Sequence, residues 1–153
     1  MATKLIEPVS RKLNVVGREY LSALDDHMAR FGIDRHYYPL TIIVHYDGQL
    51  TQKGLAEILN KDKSVIVKII DRLTARGFVQ RQINPEDRRE HFLAPTNKAR
   101  DVVPHLIKIF EHMNKSATKG ISKQDMEIFE NVLNKMRENL VDFAKQEPAP
   151  DTI

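Results

Sequence analysis

The sequence predicts a mainly α-helical chain with one small β-hairpin: a winged helix-turn-helix flanked by long helices. Three observations carry that prediction. Apolar residues recur at three- and four-residue steps in long stretches before and after the middle third of the chain. Inside that third, two short helical patterns are joined by a tight polar turn. Two short extended runs around a charged turn follow them directly.

The first long pattern places Val9, Leu13, Val16, Tyr20, Leu24 and Met28 on one narrow stripe, and it ends near Phe31-Gly32. A narrow stripe on a long helix suits packing against another long helix, within a subunit or between two. His36 to Tyr46 is more densely apolar. Pro39 fits the first turn of a helix there, while Ile42, Ile43 and Val44 leave a short core strand open. Asp47-Gly48 ends the element in either case.

Thr51 is placed to cap the next helix, whose buried face is Leu55, Ala56, Ile58 and Leu59. Asn60-Lys61-Asp62 reads as a turn. From Lys63 to Arg76, residues Ile66, Ile69, Ile70 and Leu73 share one stripe. Gly77 then supplies the left-handed residue that stops the helix. Phe78 to Ile83 and Glu90 to Leu93 form the hairpin around the turn formers Asn84-Pro85-Glu86-Asp87, and Arg88 and Arg89 stand beside its tip.

Thr96 caps a second long helix with an apolar face of Val102, Val103, Leu106, Ile107, Ile109, Phe110 and Met113. Pro104 lies about two turns in and removes an amide donor, so a kink is expected. Lys119-Gly120 ends this helix. Ser122 to Asp125 resembles a capping box with Asp in place of Glu. Met126, Phe129, Val132, Leu133, Met136, Leu140 and Phe143 continue a last amphipathic helix to about Ala144. The expected organisation is a single domain over 1–153. Residues 9–46 and 97–144 form a helical dimerisation region, 47–96 a winged lobe, and 145–153 a mobile tail.

Composition narrows the function. The chain has 153 residues, 41% hydrophobic and 29% charged, which suits one globular domain with a real core. Cysteine is absent, which excludes disulfides, thiolate metal sites and cysteine nucleophiles. No apolar run approaches a membrane span, and residues 1–10 lack a signal-peptide core. Residues 51–100 hold 11 Lys/Arg and 6 Asp/Glu, a net of +5, while the rest of the chain nets −2. A basic excess gathered in one third of a chain is the footprint of a polyanion-binding surface.

In a winged helix the second helix of the helix-turn-helix enters the major groove. With Ile66, Ile69, Ile70 and Leu73 facing the core, Lys63, Ser64, Val65, Val67, Lys68, Asp71 and Arg72 turn outward. Lys63, Lys68 and Arg72 meet phosphates or base acceptors, and Ser64 donates to either. Val65 and Val67 either touch thymine methyl groups or pack on a neighbouring helix. Thr51, Gln52 and Lys53 open the first helix beside them. At the wing tip Arg88 and Arg89 suit a narrow minor groove, and Asp87 is placed to hold an arginine fork.

Leu50-Thr51-Gln52-Lys53-Gly54-Leu55-Ala56, Asp62-Lys63-Ser64, Asp71-Arg72-Leu73 and Arg76-Gly77-Phe78-Val79 together resemble the MarR family of bacterial winged-helix regulators. The run from Asp87 through Arg89 to Thr96 resembles that family's wing signature. Pro95 and Ala99 stand where the family usually has Leu and often has Gly. The resemblance spans roughly residues 9–144. It implies a cytoplasmic, nucleoid-associated homodimer that reads a pseudo-palindromic operator in double-stranded DNA. Such a regulator commonly represses transcription and is released by a small aromatic effector. The implied effector pocket lies where the dimerisation helices meet the DNA-binding lobe, and Tyr20, His27, Tyr37, Tyr38 and His45 lie on the elements that would line it. All five are equally ordinary as core or interface residues.

Other chemistry finds little support. Asp101, His105 and His112 share one side of a helix, but His105 and His112 are about 10–11 Å apart by helix rise. No metal or cofactor is expected. No Gly-rich phosphate loop or His-Glu-x-x-His is present, and Ser64 and Lys68 are four apart rather than three. The expected function is a sequence-specific dimeric transcriptional regulator and not an enzyme. The alternatives are an architectural protein without specific readout and a winged-helix protein-interaction module.

Overall fold

A computed structural model describes residues 6–85 and 87–145. The predicted mobile tail lies outside these residues except for Lys145. The element order is α1 (Val9–Met28), α2 (Tyr37–Tyr46), α3 (Gln52–Leu59), α4 (Lys63–Ala75), β1 (Val79–Ile83), β2 (His91–Pro95), α5 (Asn97–Ala117) and α6 (Lys123–Ala144). Two short 3-10 turns, Ala29–Phe31 and Asp34–His36, link α1 to α2. The predicted fold class is the observed one.

Two compact units are present, Met1–Ala117 and Thr118–Ile153. In the first unit α2 is central. Tyr37, Pro39, Leu40, Ile42 and Ile43 are all buried, so the segment is apolar nearly all round. That burial decides for a helix against the strand its β-branched residues allowed. Pro39 sits in the first turn, where its missing donor breaks no helical hydrogen bond. Asp47 closes the helix at φ 45°, its N–H donating to the carbonyls of Ile43 and Val44. α2 packs against α5, and α1 also leans on α5.

The apolar stripe of α1 divides near Tyr20. Leu24 and Met28 are buried, while Val9, Leu13 and Val16 are exposed. The ladder β1–β2 is antiparallel, from Val79 opposite Pro95 to Ile83 opposite His91. Its outer edge is also covered, because Leu93 N–H donates to the Leu50 carbonyl at 2.8 Å and Thr51 bridges Phe92. Phe78, Leu93, Leu55, Ile66, Ile70 and Leu73 pack beneath the hairpin with almost no exposure. Burying such side chains stabilises the fold by about 1.5–3 kcal/mol each. Pro95 closes β2 without disturbing the helix start. Thr96 Oγ1 accepts from Ala99 N–H at 3.3 Å and donates to the Gly77 carbonyl at 2.7 Å, which holds α5 to the end of α4. α5 runs unbroken through Pro104.

In the second unit Ser122 caps α6. Its Oγ accepts from Asp125 N–H at 3.0 Å and donates to the Asp125 carboxylate at 2.6 Å. Asp125 therefore returns to the cap hydroxyl. No residue of α6 is buried, and Phe129, Val132, Leu140 and Phe143 are exposed on the face the periodicity marks.

Candidate nucleic-acid interface

The interface is built on α3, the turn after it, α4 and the hairpin. Thr51 Oγ1 accepts from Gly54 N–H at 3.1 Å and fixes the start of α3. Asn60, at φ 49°, ends α3 in the left-handed region, and the N–H of Lys61 donates to the Ala56 carbonyl. Asn tolerates that conformation because its short amide bonds locally. The turn then sends α4 across α3.

α4 shows the two faces its sequence predicts. Ile66, Ile69, Ile70 and Leu73 are buried, and Lys63, Ser64, Val65, Lys68 and Arg72 are exposed. Val67 departs from the expected outward set, because it is half-buried at the margin of the core. Val65 is 39% exposed and remains an apolar group on the outer face. Arg72 approaches the ring of His36, with Nη1 at 3.4 Å from Nε2. Asp71, also expected to face outward, takes Nη2 of Arg81 at 2.6 Å. The Nε of Arg81 donates to Gln52 Oε1 at 2.8 Å. One guanidinium thus joins the start of α3, the middle of α4 and β1.

The C-terminal end of α4 is anchored as well. The Arg76 guanidinium donates to the Gly32 carbonyl, and Lys98 Nζ donates to the Arg76 carbonyl at 2.8 Å. The same ammonium sits 4.2 Å from the ring centre of Phe78.

At the wing tip the expected arginine fork is not what Asp87 holds. Its Oδ1 accepts the backbone N–H of Arg89 at 2.9 Å, and its carbonyl accepts from Glu90 N–H. The carboxylate is spent on the turn, as Asp side chains commonly are two residues before a donor. Arg88 and Arg89 are left exposed. A cleft of about 250 Å³ runs between this wing and the helices. It brings together Thr51, Gln52, Lys53, Lys63 and Arg89 from the predicted set. It also contains Ala56, Glu90 and His91, which sequence reasoning did not single out. Strand alternation held the signal for His91, since it shares a face with Leu93 and Pro95.

Of the predicted effector residues, Tyr20 and Tyr37 are near enough to interact electrostatically. Tyr20 donates to Asn114 Oδ1 at 2.6 Å, and burial pushes its hydroxyl upward in pKa. Tyr37 is buried with its hydroxyl 3.4 Å from Asp25 Oδ1, and its ring lies against Phe110. Burial, then the Asp25 charge and that hydrogen bond, raise Tyr37 to about 12. Arg35 Nε holds the other Asp25 oxygen at 3.1 Å. His27 Nδ1 turns back to the Ala23 carbonyl, and Tyr38 is exposed. His45 lines a separate groove of about 370 Å³ with Thr41, Ile42, Tyr46, Ile58 and Ile107. Ile58, expected on a buried face, and Ile107, expected on an apolar face, both edge this groove and are exposed.

Among the described residues no three His, Asp or Glu side chains gather for a metal, and His105 stacks on Phe31. No helix among them is long and apolar enough to cross a membrane.

Fold and basic cleft together define a winged-helix chain with cations gathered between its wing and its helix-turn-helix. Comparison with known proteins makes this specific. The MarR family model matches residues 40–91. The HTH-type transcriptional regulator YybA of Bacillus subtilis (strain 168) is 23% identical over 132 residues, covering 86% of this chain and 88% of that protein. The crystal structure of the transcriptional regulator SlyA superposes with a TM-score of 0.81 at 23% identity, covering 89% of this chain and 96% of that one. A MarR family transcriptional regulator from Listeria monocytogenes, complexed with 26mer DNA, gives a TM-score of 0.81 at 21% identity and covers 94% of this chain and 99% of that one. The resemblance to the MarR family read from the sequence is borne out, and the fold is that of its winged-helix regulators.

Proposed function

We propose that this chain is a sequence-specific dimeric DNA-binding transcriptional regulator and not an enzyme. The observation that carries this reading is the cleft that joins α3, α4 and the wing with Lys53, Lys63 and Arg89 on its walls. α4 lies in the major groove with Lys63, Ser64, Val65, Lys68 and Arg72 toward the bases and phosphates, while Val67 contributes from the margin. Thr51, Gln52 and Lys53 meet the backbone, and Arg88 and Arg89 enter the minor groove. Asp87 shapes the wing turn.

Residues 47–96 act as the DNA-binding lobe, and residues 9–46 and 97–144 as the dimerisation region. The exposed apolar residues of α1 and of α6 are the surfaces a second copy covers. Two copies of α4 then sit about 34–36 Å apart, one turn of DNA. The protein acts in the cytoplasm at the nucleoid as a repressor that occludes an operator. A small aromatic effector that binds the DNA-incompetent state better shifts the population away from DNA. The groove beside His45 and Tyr46 offers such a ligand apolar walls and an imidazole.

Selection of bound duplexes from a random pool at near-physiological salt tests this function. An enriched inverted repeat with half-sites about ten base pairs apart is the expected result. Salt-sensitive binding without enrichment would replace specific regulation by an architectural role, and no retained DNA would replace it by a protein-interaction role.

A further inference from the structure

We propose that His91 makes a proton-gated contact to a backbone phosphate seated in the cleft between α3 and the wing. This inference rests on the DNA-binding reading above. His91 opens β2 opposite Ile83 and is half-buried. It lines the cleft with Lys53 of α3, Lys63 of α4, and Arg89 and Glu90 of the wing. Among the described residues those four are the charged groups that line the cleft with it: three fixed cations and one carboxylate. Lys53, Lys63 and Arg89 share none of the ion pairs formed among the described residues. Lys53 and Lys63 are therefore available to an anion in the cleft, and Arg89 adds its positive field from the wing without having to contact it.

The walls are held in place before any ligand arrives. Gln52 is fixed by Arg81, and Thr51 by its cap to Gly54. Three cations against one carboxylate on the walls of this cavity of about 250 Å³ give it a net positive charge that attracts an anion. On DNA that anion is a phosphodiester.

An imidazole ordinarily changes charge between about pH 5 and 8. A phosphodiester keeps its single negative charge throughout that range. A change of affinity across it therefore originates in the protein. Neutral His91 adds no charge to the cleft, whereas protonated His91 adds a fourth cation and a charged donor. Such a contact is worth on the order of 10-fold in affinity per winged helix. It also adds one neutralised phosphate, so the slope of log K against log[salt] steepens by about 0.9 per winged helix.

The test measures duplex affinity of the full chain at pH 6 and pH 8 over a range of salt, on one 26-base-pair duplex. The wild type, His91→Gln, His91→Lys and the remote control His112→Gln are compared. The wild type and the control are expected to bind more tightly at pH 6, with the steeper salt slope. His91→Gln is expected to lose both effects, and His91→Lys to keep the tight, steep behaviour at both pH values. Equal affinity and slope at both pH values in the wild type would overturn the proposal. So would a His91→Gln that retains the pH effect, which would move the proton to His36 beside Arg72. Wild type that binds no duplex at either pH would instead overturn the DNA-binding reading beneath it.

Discussion

Arg81 donates from Nη2 to Asp71 Oδ1 at 2.6 Å, and this pair fastens the wing to α4. The same guanidinium reaches Gln52 through Nε. Lysine carries the charge but cannot make both contacts from one planar group. Arg81 is only partly exposed, and Asp71 is more open. The ion pair itself is therefore worth little, and the geometry matters more. Arg81→Lys is expected to cost about 1 kcal/mol in stability. For a chain of this size that lowers Tm by about 2–4 °C. DNA affinity is expected to fall further than Tm implies, because Gln52 and the wing lose their common anchor. Thermal unfolding and duplex titration on the same preparation check this, and an unchanged affinity would remove Arg81 as an organiser of the interface.

Lys53 and Arg89 line one cleft but have different expected roles. Lys53 lies in the first turn of α3, where a phosphate contact carries no sequence information. Lys53→Ala is expected to weaken binding to every duplex alike and to flatten the salt slope by about 0.9 per winged helix. Arg89 is exposed on the wing, where a narrow A·T-rich minor groove attracts arginine most strongly. Arg89→Ala is expected to cost most on duplexes with A·T-rich flanks. Titration of both variants against A·T- and G·C-flanked duplexes separates the roles, and equal losses for Arg89→Ala would place it on the backbone instead.

Tyr37 sets an alkaline limit on stability. Burial foremost, then the charge and hydrogen bond of Asp25, raise it from 10.0 to about 12. Its folded value exceeds its unfolded value. The stabilisation is therefore fully present below pH 10 and is lost as the pH rises through 10 toward 12. Tyr20 is raised by burial and contributes with the same sign. Tyr37→Phe is expected to flatten the fall in stability across that window, leaving the Tyr20 share. Denaturant midpoints from pH 8 to 11.5 check it, and parallel curves for variant and wild type would contradict it.

The fold was legible because local signals and tertiary packing agree. Thr51, Asn60, Gly77, Thr96 and Ser122 punctuate the helices where their chemistry predicts. At α2 the sequence leaves helix and strand open, and the structure forms a helix that buries Tyr37, Pro39, Leu40, Ile42 and Ile43. Periodicity marks a stripe but not its edges: it puts Ile58 on a buried face and Ile107 on an apolar one, and the structure leaves both bordering a groove. The candidate interface was less legible. Arg81 joins positions 52, 71 and 81, which no spacing along the chain relates. Asp87 could be read as holding an arginine or shaping a turn, and only the backbone path chooses the turn. The five candidate effector residues lie on shared elements, but spacing along the chain does not say which of them meet, because residues on one element point in different directions.

The exposed apolar face of α6 leads to a test of assembly. Phe129, Val132 and Leu140 are each about half exposed or more, and Phe143 is 71% exposed. They recur at helical spacing along one side, and scattered surface apolar residues would not. If a second copy covers them, a carboxylate placed there must lose its hydration without a partner. The double change Phe129→Glu with Leu140→Glu is expected to shift sedimentation from dimer to monomer at micromolar concentration. The α3–α4 lobe keeps its own core in unit Met1–Ala117, so the helical circular dichroism signal of that part should persist. Duplex affinity should fall by at least 100-fold, since one winged helix then binds a half-site without the second to raise its effective concentration. A variant that still sediments as a dimer would show that the face of α6 is not the subunit contact. A variant that is monomeric yet binds a full operator with wild-type affinity would separate dimerisation from DNA recognition.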